Sequence, residues 1–130
     1  MTVVHHHRVR YHEIDPQGFM FNSRYLEIAD VAMAEFFRDL GWSYTTLNSD
    51  GMDPSVVTAT IRYTRPVRFD DILDVDVNCS RVGTSSCTLL QRFLRNDEEV
   101  ATVELIYVNV DAPLARSRPI PPAVAAALRA

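Results

Sequence analysis

The chain has no run of basic residues. It has no lysine, its 13 arginines are scattered among 17 Asp and Glu, and the formal net charge is −4. Non-specific binding to nucleic acid or to an anionic membrane surface needs a basic block, so neither partner is expected, and a few local arginines must meet any anionic ligand. No apolar stretch is long enough to cross a bilayer, so no membrane insertion is expected. No leader pattern opens the chain either: Val3-Val4 is too short, and three histidines follow it. A cytoplasmic location is the expectation. Cysteine is scarce, as suits a reducing compartment. Cys79 and Cys87 flank Gly83 and can pair across a hairpin or stay free, and a cytosolic setting favours free thiols. With only four glycines there is no phosphate-cradling or dinucleotide-binding glycine pattern, and no G-x-S-x-G elbow. His5-His6-His7 lacks a cysteine or a second histidine pair at a ligand spacing, so no metal is expected.

The 130 residues suit one domain, and a chain of that length buries a substantial core. Val3 to Tyr11 reads as a strand, in which alternation sets His5 and His7 on one face and His6 on the other. His12 to Phe21 is a loop. Pro16 restricts Asp15 to extended backbone, and Gly18 permits a shape that a Cβ would block. Asn22 or Ser23 is a fitting N-cap for a helix over Ser23 to Leu40, and Gly41 a fitting stop. That helix is so rich in apolar residues that burial around most of its circumference is expected. Trp42 to Asp53 is a polar loop or short helical turn. Strands follow over Ser55–Val67, Ile72–Val82, Ser85–Arg95 and Val100–Val110. Arg68 to Asp71, Gly83-Thr84 and Asn96 to Glu98 are the turns between them. Hairpin connections imply antiparallel pairing. The last strand is apolar on both faces, which points to a central position or a subunit interface. Pro122 to Arg129 reads as a short closing helix. One helix among antiparallel strands is an α+β layer architecture.

A carboxylate on the loop that enters a helix N-terminus is a candidate reaction centre. The residues there run Tyr11-His12-Glu13-Ile14-Asp15-Pro16-Gln17-Gly18-Phe19-Met20-Phe21-Asn22-Ser23-Arg24-Tyr25-Leu26. Later come Ile61-Arg62-Tyr63-Thr64-Arg65-Pro66-Val67 with Asp70-Asp71, then Arg81-Val82-Gly83-Thr84-Ser85, then Val110-Asp111 and Arg118-Pro119-Ile120-Pro121. This pattern resembles the hot-dog acyl-CoA thioesterases, the family of 4-hydroxybenzoyl-CoA thioesterase and the YbgC/FadM-like enzymes. The resemblance covers nearly the whole chain, residues 1–130, as a single hot-dog thioesterase domain. It implies an antiparallel sheet wrapped around one long central helix, and hydrolysis of an acyl-CoA to free acid and CoA. It also implies a homodimer at minimum and a homotetramer beyond that, with the site completed by a second copy. By position Asp15 matches the catalytic aspartate, and Asn22 matches the helix-start residue whose backbone N–H faces the thioester carbonyl. Glu13 stands where many relatives have Asp.

The chemistry is consistent with those residue types. Asp15 can attack the acyl carbon or deprotonate a water, or it can be simply a turn-capping acid. The Asn22 N–H at the helix start can meet the oxyanion, with Gly18 acting through loop geometry. Phe19, Met20, Phe21 and Tyr25 can line an acyl pocket or pack the loop onto the core. Arg62, Arg65, Arg68 and Arg81 are candidates for the CoA phosphates, Arg65 and Arg81 foremost, against the alternative of solvated surface arginines. No separate cofactor is expected, since coenzyme A enters as part of the substrate. Two rival readings are a non-catalytic acyl-CoA or acyl-carrier binding protein and a hot-dog dehydratase. The dehydratase would use His12 with an acid from the helix, Glu27, Asp30 or Glu35.

Overall fold

The computed structural model describes residues 2–130. Six antiparallel strands form the sheet: β1 (Thr2–Arg8), β2 (Pro54–Tyr63), β3 (Ile72–Val82), β4 (Ser86–Arg95), β5 (Glu98–Asp111) and the short β6 (Arg116–Ser117). The main path runs β1-β3-β4-β5-β2, and β6 pairs with β5. Three helices complete the chain: α1 (Arg24–Leu40), α2 (Tyr44–Ser49) and α3 (Pro122–Arg129). The expected central strand, β5, does lie between β4 and β2. The first two strands occupy opposite edges, so α1 must cross the sheet between them.

Alternation sets the two faces of the sheet. Leu73, Val75, Leu89, Phe93, Val103 and Leu105 are fully or almost fully buried and face α1. Each contributes roughly 1.5–3 kcal/mol relative to an exposed side chain. Ala29 and Ala32 of α1 have no exposed surface, and their small side chains let helix and sheet approach closely. Gln91, also fully buried on β4, uses that proximity: its Nε2 donates to the Ala29 carbonyl at 2.9 Å. On the opposite face Asp76 is almost fully buried, and the Arg92 guanidinium grips both its oxygens at 3.2 and 2.6 Å.

Four expectations need correction. The first strand ends at Arg8, because Tyr11–Glu13 coil into a 3-10 turn. β2 stops at Tyr63, three residues before Pro66, which has no N–H to give a ladder. β5 begins at Glu98: Asn96 and Asp97 both take positive φ (50° and 64°) and make a two-residue hairpin turn of the twist that strands favour. Finally, within one chain α1 is not buried around most of its circumference. Tyr25, Ile28, Ala29, Ala32 and Phe37 are buried, while Leu26 and Val31 are exposed on the opposite side. Gly41 does end α1, in the left-handed conformation at φ 112°. The histidines alternate as expected: His6 meets Asp74 at 2.6 Å on one face, and the His5 and His7 rings are 6.2 Å apart on the other. Cys79 and Cys87 are both free thiols. Burial pushes Cys87 up to about 12, so it stays protonated.

Candidate active site

The loop that precedes α1 is tightly closed. Ile14 and Met20 form an antiparallel bridge. Inside it the Asp15 N–H donates to the Phe19 carbonyl and the Gly18 N–H to the Asp15 carbonyl, both at 2.9 Å. Gly18 sits at φ +83°. A Cβ at Gly18 would meet nothing within 4 Å, so the requirement is conformational rather than steric. Gly18→Ala is therefore expected to cost about 1–2 kcal/mol, the cost of left-handed backbone for an alanine. Chemical denaturation of the two proteins checks this.

Asp15 Oδ1 accepts the N–H groups of Gln17 (2.8 Å) and Phe19 (3.4 Å). This is the turn-capping role. It occupies one carboxylate oxygen, and Oδ2 has no protein donor among the described residues. Capping and reactivity are thus compatible in this side chain. Asp15 lines a cleft of about 330 Å³ with Asn22 and Arg65. Phe19, Met20 and Tyr25 give the cleft its apolar wall. The Asn22 amide has no backbone acceptor among the described residues, just outside the first turn of α1.

Tyr63, a residue that no sequence motif marks as part of the site, holds this end of the cleft. Its hydroxyl donates to the Asn22 carbonyl at 2.9 Å, and its ring meets that of Tyr25 edge-on at 5.0 Å. Burial raises the phenol of Tyr63 and pushes that of Tyr25 up to about 12, so both remain neutral. The one sequence signal for Tyr63 was its place in Ile61-Arg62-Tyr63-Thr64.

Other candidates separate. Phe21 is half exposed outside the cleft, and its N–H is spent on the Glu13 carbonyl at 2.8 Å. Arg65 is exposed and pairs with Glu98 at 3.3 Å. The Arg68 guanidinium lies 4.9 Å from the centre of the Phe19 ring. Arg62 is exposed on β2. Arg81 is not in this cleft: it lines a different cavity, with Leu40 and Arg129. His12 is exposed, and no histidine lines the Asp15 cleft.

Glu13 is buried beside the loop. Its Oε1 accepts the Arg10 N–H at 2.7 Å and lies 2.8 Å from His7 Nε2. Burial alone would raise its pKa, but the Arg10 N–H and His7 outweigh that, and the net shift is downward. A depressed carboxyl favours the folded state above the ordinary glutamate pKa. That contribution is lost as pH falls through the folded value.

Comparison with known proteins gives the family and the fold. The thioesterase-like superfamily matches residues 9–128. The acyl-CoA thioesterase YbgC of Haemophilus influenzae is 31% identical over 106 residues, 79% of this chain and 78% of that protein. The acyl-CoA thioester hydrolase YbgC of Escherichia coli is 24% identical over 120 residues, 92% of this chain and 90% of that one. Among solved structures, a gentisyl-coenzyme A thioesterase superposes with a TM-score of 0.88 at 24% identity, covering 98% of this chain and 100% of the other. A protein from Aquifex aeolicus superposes at 0.87 with 25% identity, over 95% and 97% of the two chains. The fold is the hot-dog fold.

Proposed function

The chain belongs to the thioesterase-like superfamily, and from that premise we propose that it hydrolyses an acyl-CoA to the free acid and CoA. The observation that carries the reading is that Asp15 and Asn22 line one cleft at the start of α1. With the thioester carbonyl between them, Asp15 attacks the acyl carbon through Oδ2 or takes a proton from an attacking water. The oxyanion is met by the Asn22 N–H and the positive end of the α1 dipole. The CoA thiolate then leaves: with water as the attacker the free acid is formed directly, and with Asp15 as the attacker a water next hydrolyses the acyl–Asp15 anhydride to the free acid and restores the carboxylate. Phe19, Met20 and Tyr25 give the acyl end apolar contact. The dehydratase reading loses support, because it needs a histidine that this cleft lacks.

The test is a panel of acyl-CoAs with a thiol-reactive dye. Release of CoA from at least one is expected, and no release from any would favour a non-catalytic binding protein. Arg65 is the arginine that this cleft offers to the phosphates. Arg65→Ala is expected to raise KM for acyl-CoA by at most about tenfold, the worth of one charge-assisted hydrogen bond at an exposed site. It should leave KM for the matching N-acetylcysteamine thioester unchanged.

A homodimer is the minimum assembly in this reading. β2 is an edge strand with exposed Val56, Val57 and Tyr63, and α1 presents exposed Leu26 and Val31. An open apolar edge is a liability unless covered, and a second copy would cover it beside the cleft. Sedimentation should give a dimer or tetramer, and a monomer at micromolar concentration would refute this assembly.

A further inference from the structure

We infer that Glu13 is a positioning residue of the reaction: its side chain, held by Arg10 and His7, sets where Asp15 and the Asn22 amide stand. This rests on the reading of Asp15 and Asn22 given above.

Glu13 touches three segments at once. Its Oε1 accepts the Arg10 N–H at 2.7 Å and lies 2.8 Å from His7 Nε2, which ties the 3-10 turn to β1. Its backbone carbonyl accepts the Phe21 N–H at 2.8 Å, which ties the turn to the far end of the loop. Asp15 follows Glu13 by two residues, and Asn22 follows Phe21 directly. Both chemical groups therefore lie within two residues of a bond that Glu13 makes. The Glu13 side chain is 7% exposed and that of His7 17%, so water cannot readily replace either partner. Two further ties hold the far end to the sheet side, from the Met20 N–H to the Val67 carbonyl at 2.7 Å and from the Tyr63 hydroxyl to the Asn22 carbonyl at 2.9 Å. Losing the Glu13 clip leaves the Asp15 end free to drift, and a misplacement of about 1 Å costs on the order of 10²-fold in rate.

Glu13 touches no part of the cleft surface, so its influence should appear in kcat and not in KM. Glu13→Ala is expected to lower kcat about 10- to 100-fold with KM changed less than about threefold. Glu13→Gln keeps an oxygen that both partners can donate to, and should recover most of the loss. In an Asp15→Asn background Glu13→Ala should cost clearly less than it does alone, because the share of the loss that runs through Asp15 is already spent and only the share through the Asn22 amide remains. Circular dichroism at the assay temperature corrects for any unfolded fraction. If Glu13→Ala does not fold, His7→Leu removes one leg of the clip, and kcat should still drop about 3- to 10-fold at constant KM. Wild-type kcat in either variant overturns the inference, as does a full multiplicative loss in the Asp15→Asn background. A different result, Asp15→Asn as active as wild type, overturns the reading of Asp15 instead. Glu13→Ala then still tests the placing of the Asn22 amide.

Discussion

Replacing Asp15 by Asn is expected to lower kcat/KM on the order of 10³-fold, about 4 kcal/mol of transition-state stabilisation. The substitution is nearly isosteric. The amide oxygen can still accept the Gln17 and Phe19 N–H groups that Asp15 Oδ1 accepts now, so the turn is retained. The melting temperature should stay within about 2 °C of wild type, since no buried partner is left unpaired. What is lost is the second oxygen as a base or nucleophile, because an amide is neither at neutral pH. Steady-state kinetics on the best acyl-CoA and a thermal melt check both halves. Equal rates would remove Asp15 from the mechanism. In the wild-type protein, a burst of CoA equal to the enzyme concentration would mark a covalent acyl intermediate on Asp15, and its absence would be consistent with general-base attack by water.

Asn109→Ala should destabilise the protein by about 3 kcal/mol, which lowers the melting temperature by roughly 10 °C in a chain of this size. Asn109 is fully buried on β5. Its Oδ1 accepts the Asp53 N–H at 2.8 Å and the Arg118 Nε–H at 3.3 Å. Its Nδ2 donates to the carbonyls of Gly51 at 2.8 Å and Pro119 at 3.0 Å. One side chain thus ties the turn before β2 and the segment before α3 to the sheet. Alanine would leave two N–H groups and two carbonyls without partners, each costing about 1–3 kcal/mol where water cannot enter. Gly51, Asp53 and Arg118 are only half buried and Pro119 is exposed, so water meets part of the loss and the total is held to about 3 kcal/mol. Asn109→Asp is expected to restore little, since a carboxylate would face the Gly51 and Pro119 carbonyls with no hydrogen to offer. Activity measured well below the melting point should survive, because Asn109 does not line the Asp15 cleft.

Much of the fold was readable along the chain. β3 followed from alternation, β4 and most of β5 from β-prone runs between turns, the end of α1 from Gly41, and the loop around Asp15 from Pro16 and Gly18. These signals are local, carried by the φ preferences of single residues and by periods of two or 3.6. Two ties at the site and in the core were not readable in that way. Tyr63 reaches Asn22 across 41 residues, and Asn109 reaches Asp53 across 56. A tyrosine at a strand end and an asparagine inside an apolar strand look ordinary until the partner is in view. Arg81 and Phe21 illustrate the opposite failure. Both belong to motif stretches, yet neither lines the Asp15 cleft, because proximity to a motif in sequence does not determine which way a side chain leaves the backbone.

The burial of α1 marks the same boundary. Its apolar content was plain, but the sheet covers only the face of Ile28, Ala29 and Ala32 and leaves Leu26 and Val31 in solvent. Composition counts apolar residues; it does not say what stands opposite them. The amino-acid sequence by itself determined the element order, the antiparallel pairing, and the acid at the mouth of a helix. The tertiary structure alone decided that the Asn22 amide shares a cleft with Asp15, that Tyr63 holds the Asn22 carbonyl, and that Glu13 clips both ends of the loop. Local conformation is set by neighbours in the chain. The juxtaposition of a carboxylate, a free N–H and an apolar wall is set by how the sheet folds over the helix, and that depends on contacts between residues far apart in the sequence.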